Sequence, residues 1–176
     1  QAAVDAGANA VYAGLRDQTN ARAFPGLNFS DDELRAGIRY AHARNARVYL
    51  ALNTYPDSAR LKDWHAAVDK AAALGADAII AAEMAVLDYA ARTHPALPRH
   101  LSVQGSATTA PALRYAHERF GISRAVLPRV LSLQQVERLC EKSPVALEVF
   151  AFGSLCIMVE GRCQLSSYVT GASPNR

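Results

Sequence analysis

Apolar and polar positions along this chain follow two rhythms that replace one another in turn. Short runs that are apolar on both faces occur at Ala10–Leu15, Arg47–Asn53, Ala78–Glu83, His100–Gln104, Arg124–Pro128 and Ala146–Phe152. Runs of that length and character predict strands covered on both sides, as in a parallel sheet. Between them the apolar residues recur every three or four positions. Leu34, Ile38 and Ala41 make one such stripe, and Leu61, Trp64, Val68 and Ala71 another. Val136, Leu139 and Cys140 make a third, after Ser132. This spacing predicts amphipathic helices with one buried face. On it Cys140 is expected in the core, whereas Trp64 and His65 read as packing and surface.

The junctions support the same alternation. Gly7, Gly75 and Gly121 each stand between a helical pattern and a following apolar run. Glycine there predicts a left-handed helix cap. Ser30 followed by Glu33 predicts a capping box at a helix start. Strand and helix in strict alternation give an α/β architecture with right-handed crossovers. No Gly-x-Gly-x-x-Gly follows any strand, which removes the dinucleotide-fold signal. Polar residues sit near most predicted strand ends: Asn53, Glu83, Gln104 and Arg129. In (β/α) barrels that rim carries the chemistry. The expected fold is therefore a TIM-barrel-like parallel sheet, incomplete at both ends. Residues 1–176 are expected to form a single barrel-type domain within a longer protein.

Composition changes this picture little. The chain has 176 residues, is 51% hydrophobic and carries a net charge of +3. That charge is too small to argue for nucleic acid by itself. No run approaches the roughly 18 apolar residues of a membrane span, and no signal-peptide pattern is present. A cytoplasmic location is expected. The three cysteines, Cys140, Cys156 and Cys163, do not suggest a disulfide framework.

The densest chemistry lies from Glu148 to Ser166. A predicted strand runs into Gly153, and then Cys156 and Cys163 follow in a glycine-containing stretch. Thiolates are soft ligands suited to iron–sulfur clusters or zinc. Gly153 and Gly161 allow the backbone to approach a metal, and Arg162 offsets thiolate charge. Two buried structural cysteines are the alternative reading. Glu83 and Glu148 are candidate acid–base groups, or else partners of backbone N–H groups. Arg129 has the planar fork that grips a carboxylate, or else pairs with a rim carboxylate. Asn53 and Gln104 are candidate substrate contacts.

The segment resembles the motif of peptidase family U32 through Glu148, Phe150, Gly153, Ser154, Leu155, Cys156, Gly161, Cys163, Leu165 and Ser166. The resemblance extends to residues 10–15, 19–29, 126–132 and 165–175, and is strongest to the branch that serves ubiquinone biosynthesis. It implies a [4Fe-4S] cluster on four cysteines, the first two being Cys156 and Cys163, with two more beyond Arg176. With only two of the thiolates, this chain alone is expected not to keep the cluster. The resemblance further implies a UbiV-like homologous partner subunit and oxygen-independent hydroxylation of a ubiquinone precursor, with prephenate as oxygen donor. Other branches hydroxylate RNA bases. A scaffold role, with the chemistry in the partner, is a third possibility. Against the collagenase-type peptidase reading, His117-Glu118 is followed by Gly121 where a zinc-binding second histidine would stand, and no Gly-x-Ser-x-Gly is present.

Overall fold

The computed structural model describes residues 1–21, 23, 26, 28–153 and 168–169. Within them six strands alternate with helices. The strands are β1 (Ala10–Gly14), β2 (Arg47–Leu52), β3 (Ala78–Ala81), β4 (Arg99–Leu101), β5 (Arg124–Val126) and β6 (Ala146–Glu148). The helices are α1 (Ala2–Asp5), α2 (Asp31–His42), α3 (Leu61–Leu74), α4 (Met84–Thr93), α5 (Ala110–Phe120) and α6 (Leu133–Lys142), with short 3-10 turns at Ser58–Arg60 and Val103–Gly105. All five strand pairings are parallel, and the order across the sheet is the chain order. Consecutive parallel neighbours curl the sheet into part of a barrel, as expected.

The core lies between the sheet and the helices. Leu50, Leu52, Ile79, Leu101, Ala125 and Leu127 point outward from the strands and are buried. They meet Leu34, Ile38, Trp64, Val68, Val86, Leu87 and Leu113 from the helices. Trp64 also donates its indole N–H to the carbonyl of Thr54 at 3.2 Å, which satisfies its one polar atom.

Local chemistry sets the element ends. Ser30 and Glu33 form the expected capping box, the Ser30 N–H donating to Glu33 Oε2 at 2.7 Å. Ser132 and Gln135 form a second box at the start of α6. Gly75 and Gly121 close α3 and α5 with φ of 78° and 61°, a region where a side chain is strained.

Three expectations need correction. The strands are shorter than the apolar runs, because Ala82 and Leu127 stay buried after the ladder has ended. Glu83 and Gln104 therefore lie beyond their strands. Glu83 caps α4 and Gln104 sits in a 3-10 turn. Cys140 is exposed, not in the core. Leu139 is the buried residue of α6, and the next position turns about 100° away from it.

Candidate functional site

At the C-terminal ends of the strands the described residues enclose a cleft of about 370 Å³. Its floor is made by inward-facing strand residues, Gly14, Ala51, Ile80 and Val126. Small side chains at Gly14 and Ala51 leave the space open. Three aromatic rings, Tyr12, Phe29 and Phe150, stand around it, each substantially exposed. Four carboxamides also line it: Asn20, Asn28, Asn53 and Gln104. Arg129 and Glu148 supply the charges.

Described residues after β1, namely Asn20, Ala21, Asn28 and Phe29, build one wall. Asn20 and Asn28 are buried, and the Asn20 amide donates to Asn28 Oδ1 at 2.8 Å. Arg16 fixes the far side of the same wall by donating twice to the Asn28 carbonyl, at 3.1 and 2.8 Å. Gly14 makes room for this arrangement, since a Cβ there would fall 1.8 Å from Asn20 Nδ2. Asn53 holds the wall to β2 by accepting the Ala21 N–H at 3.0 Å.

The opposite wall is charged. Glu148, at the end of β6, takes a hydrogen bond from Arg124 of β5 at 3.0 Å. The pair is half-exposed, so its attraction is screened by water. Arg129 sits over the Phe150 ring, its guanidinium carbon 3.4 Å from the centroid. That contact ties the β5–α6 loop to the segment leaving β6.

Below the cleft, on the inward face, His100 is 5% exposed and its ring meets Tyr49 edge-on at 4.7 Å. Burial, and then the positive charge of Arg124, push its pKa down to about 4. It is therefore neutral at physiological pH. Its Nδ1 is buried with no hydrogen-bond partner among the described residues. Apolar runs in the sequence marked the strand but gave no hint of this histidine's setting.

Of the five rim residues expected to converge, the fold brings Asn53, Gln104, Arg129 and Glu148 to the cleft. Glu83 is not among its lining residues. Its carboxylate accepts the Ala85 N–H at 3.3 Å, the ordinary work of a helix cap. Tyr12, Asn20, Asn28 and Phe29 were missed. Tyr12 lay in the run at residues 10–15 and the other three in the run Thr19–Phe29, but the sequence alone does not show which of these side chains turn inward, as the Asn20–Asn28 hydrogen bond does. Cys156 and Cys163 lie outside the described residues, so their expected cluster geometry is not on view. Among the described residues no group of three or more His, Cys, Asp or Glu side chains could hold a metal ion.

A parallel strand–helix fold with a polar cleft at the strand ends defines a (β/α)-barrel-type protein. Comparison with known proteins sharpens this. The model of peptidase family U32 matches residues 1–176, and the chain belongs to that family. It is 32% identical over 176 residues to tRNA hydroxylation protein P of Escherichia coli (strain K12), covering 97% of this chain and 37% of that protein. It is 36% identical over 178 residues to an uncharacterized protease of Methanocaldococcus jannaschii, covering 98% of this chain and 42% of the relative. The chain thus spans roughly two fifths of the length of these relatives. A solved U32 peptidase shares the fold, with a TM-score of 0.67 at 16% identity over 85% of this chain and 64% of that one. Among the described residues no helix is long and apolar enough to cross a membrane.

Proposed function

We propose that this chain is the cleft-bearing part of an iron–sulfur subunit that carries out oxygen-independent hydroxylation. The observation that carries the reading is where the motif begins. Glu148 and Phe150 line the cleft, and the chain continues from them through Gly153 toward Cys156 and Cys163. The ligand-bearing segment thus follows the cleft residues closely in sequence. A cluster held there, completed by two cysteines beyond Arg176, would supply electron transfer.

The other roles belong to this chain's own residues. Arg129, stacked on Phe150, presents a guanidinium toward a carboxylate such as that of prephenate. Glu148, oriented by Arg124, offers an acceptor for a substrate hydroxyl. Asn53 and Gln104 supply both donors and acceptors at the rim, and the aromatic rings exclude water from a flat substrate. The finer assignment is a UbiU-like subunit that acts with a UbiV-like partner on a ubiquinone precursor. Hydroxylation of an RNA base is a second reading, supported by the name of the Escherichia coli relative. Peptidase chemistry is not proposed, because the described cleft holds neither a nucleophile–histidine pair nor a zinc-ligand set.

The test uses full-length protein prepared without oxygen. Iron and sulfide are expected to fall in Cys156→Ala and Cys163→Ala and to stay unchanged in Cys140→Ala. Ubiquinone and hydroxylated transfer RNA are then measured in anaerobic cells carrying wild type, Arg129→Ala or Arg129→Lys. Loss of ubiquinone alone supports the first reading, and loss of the RNA modification alone supports the second. Full iron content in both cysteine variants refutes the cluster.

A further inference from the structure

The interior of this barrel section is unlike the packed apolar filling usual for the fold. Apart from Ile80 and Val126, the residues that alternate inward along the strands are small, polar or tyrosine. Register places Ala10 beside Arg47, Tyr49 beside Ala78, Ile80 beside His100, and His100 beside Arg124. The other large aliphatic strand residues face the helices. Arg47 stands two residues before Tyr49 on the same face of β2 and makes no ion pair among the described residues. Arg124 has one carboxylate partner, Glu148, at 3.0 Å. This face therefore sets two guanidinium groups against one carboxylate.

His100 points to the same place by an independent route. It is one of the few buried polar residues, and its Nδ1 lacks a partner among the described residues. Leaving a buried polar nitrogen unpaired costs on the order of 1–3 kcal/mol, so such a group calls for an explanation. A half-turn of the ring about Cβ–Cγ exchanges Nδ1 with the opposite edge without moving the backbone.

We propose that this inner face, below the cleft, binds a small oxyanion, a carboxylate or a phosphate group, held by Arg47, Arg124 and His100. Arg47 and Arg124 supply charge and forked donors. His100 supplies a donor at the centre, and taking up a proton there balances the second charge of a dianion such as malonate or hydrogen phosphate. The charged and titratable groups around His100 are Arg124 and Glu148 from β5 and β6 and Arg47 and Tyr49 from β2. The inward residues of β3, Ala78 and Ile80, do not titrate. An added anion opposes the effect of Arg124 and Arg47, so the His100 pKa rises from about 4 when the site fills. The site is separate from the rim role of Arg129 and does not depend on the hydroxylation reading.

Full-length protein is titrated with inorganic phosphate and, separately, with malonate, against chloride at matched ionic strength. The His100 ring resonances report the pKa, and calorimetry reports binding. Saturable binding of either probe with an upward His100 shift is expected, and the probe that binds identifies phosphate or carboxylate. Arg47→Gln, at an exposed position, should weaken that binding roughly tenfold. His100→Phe keeps the ring contact with Tyr49 and should abolish proton uptake on binding. Chloride acting as well as both probes would overturn the proposal, and so would an Arg47→Gln variant that binds like wild type. Absence of any His100 shift with either anion would overturn it too.

Discussion

Replacing Arg99 by methionine tests how the lower end of the barrel section is held. Arg99 is 8% exposed and has no carboxylate partner among the described residues. Its Nε donates to the Phe120 carbonyl at 2.8 Å and its Nη2 to the Gly121 carbonyl at 3.2 Å. Its Nη1 donates to the Leu97 carbonyl at 2.7 Å, with longer contacts to those of His94 and Pro95. These acceptors belong to the end of α5 and to the loop after α4, where helices leave carbonyls unsatisfied. A positive charge there also complements the negative helix end. Burial pushes the guanidinium below its ordinary pKa, but arginine remains charged at any working pH.

Two effects oppose each other in Arg99→Met. The apolar side chain avoids the cost of burying a charge, which can make such replacements harmless when both partners are removed. Here the carbonyls remain, and three short charge-assisted bonds disappear. At ~1.5 kcal/mol each, the loss outweighs the relief and leaves a net cost of about 4 kcal/mol. With a urea slope of roughly 2 kcal/mol per molar, the unfolding midpoint should drop by about 2 M. Arg99→Lys keeps the charge but cannot reach three directions at once, and should lose about half as much. A midpoint for Arg99→Met within about 0.3 M of wild type would refute the reasoning.

Two other outcomes rest on the same physics. His100 titrates at about 4 when folded against 6.5 when free, so the unfolded chain takes up the proton first as pH falls. Stability contributed by neutral His100 is intact above 6.5 and declines by up to about 1.4 kcal/mol per pH unit down to about 4. Denaturation between pH 7 and 4 should show a flatter profile in His100→Phe, and an identical profile would contradict the assignment. Gly14→Ala would force Asn20 away from Asn28, at a cost of about 3 kcal/mol from overpacking and a lost buried hydrogen bond. A thermal midpoint equal to wild type would show that the loop accommodates a methyl group.

The sequence made the strand–helix alternation legible because burial on both faces leaves long apolar runs and because glycine and serine mark the junctions. It did not make the strand ends legible. Ser102 and Glu83 stop their segments by capping the next helical turn, Ser102 Oγ accepting the Gln104 N–H and Glu83 that of Ala85. Ser102 is itself buried, so its cap leaves the run of buried residues unbroken at that strand end. Cys140 was misplaced for a related reason: a helical stripe defines a direction, and α6 buries only Leu139 along it. The rim residues Asn53, Gln104, Arg129 and Glu148 were legible because every parallel strand opens its end onto the same side.

What periodicity cannot convey is which of two apolar faces encloses the core and which encloses a site. Both sides of β2 and β3 are buried, so their residues look equivalent in sequence. Register and parity separate them. Leu50, Leu52 and Ile79 go to the helices and fill the core, while Tyr49, Ala78 and Ile80 go inward, as does Ala51 at the cleft. The helix layer thus supplies most of the apolar burial, and the inward face keeps only the small cluster of Tyr49, Ala78 and Ile80. Alanine and glycine can then replace bulk, and His100, Arg124 and Glu148 can occupy positions that a packed interior would exclude. The cleft at the rim and the polar face below it are two consequences of that division. Both depend on the strands keeping their present register, since a slip of one residue would exchange the core for the site.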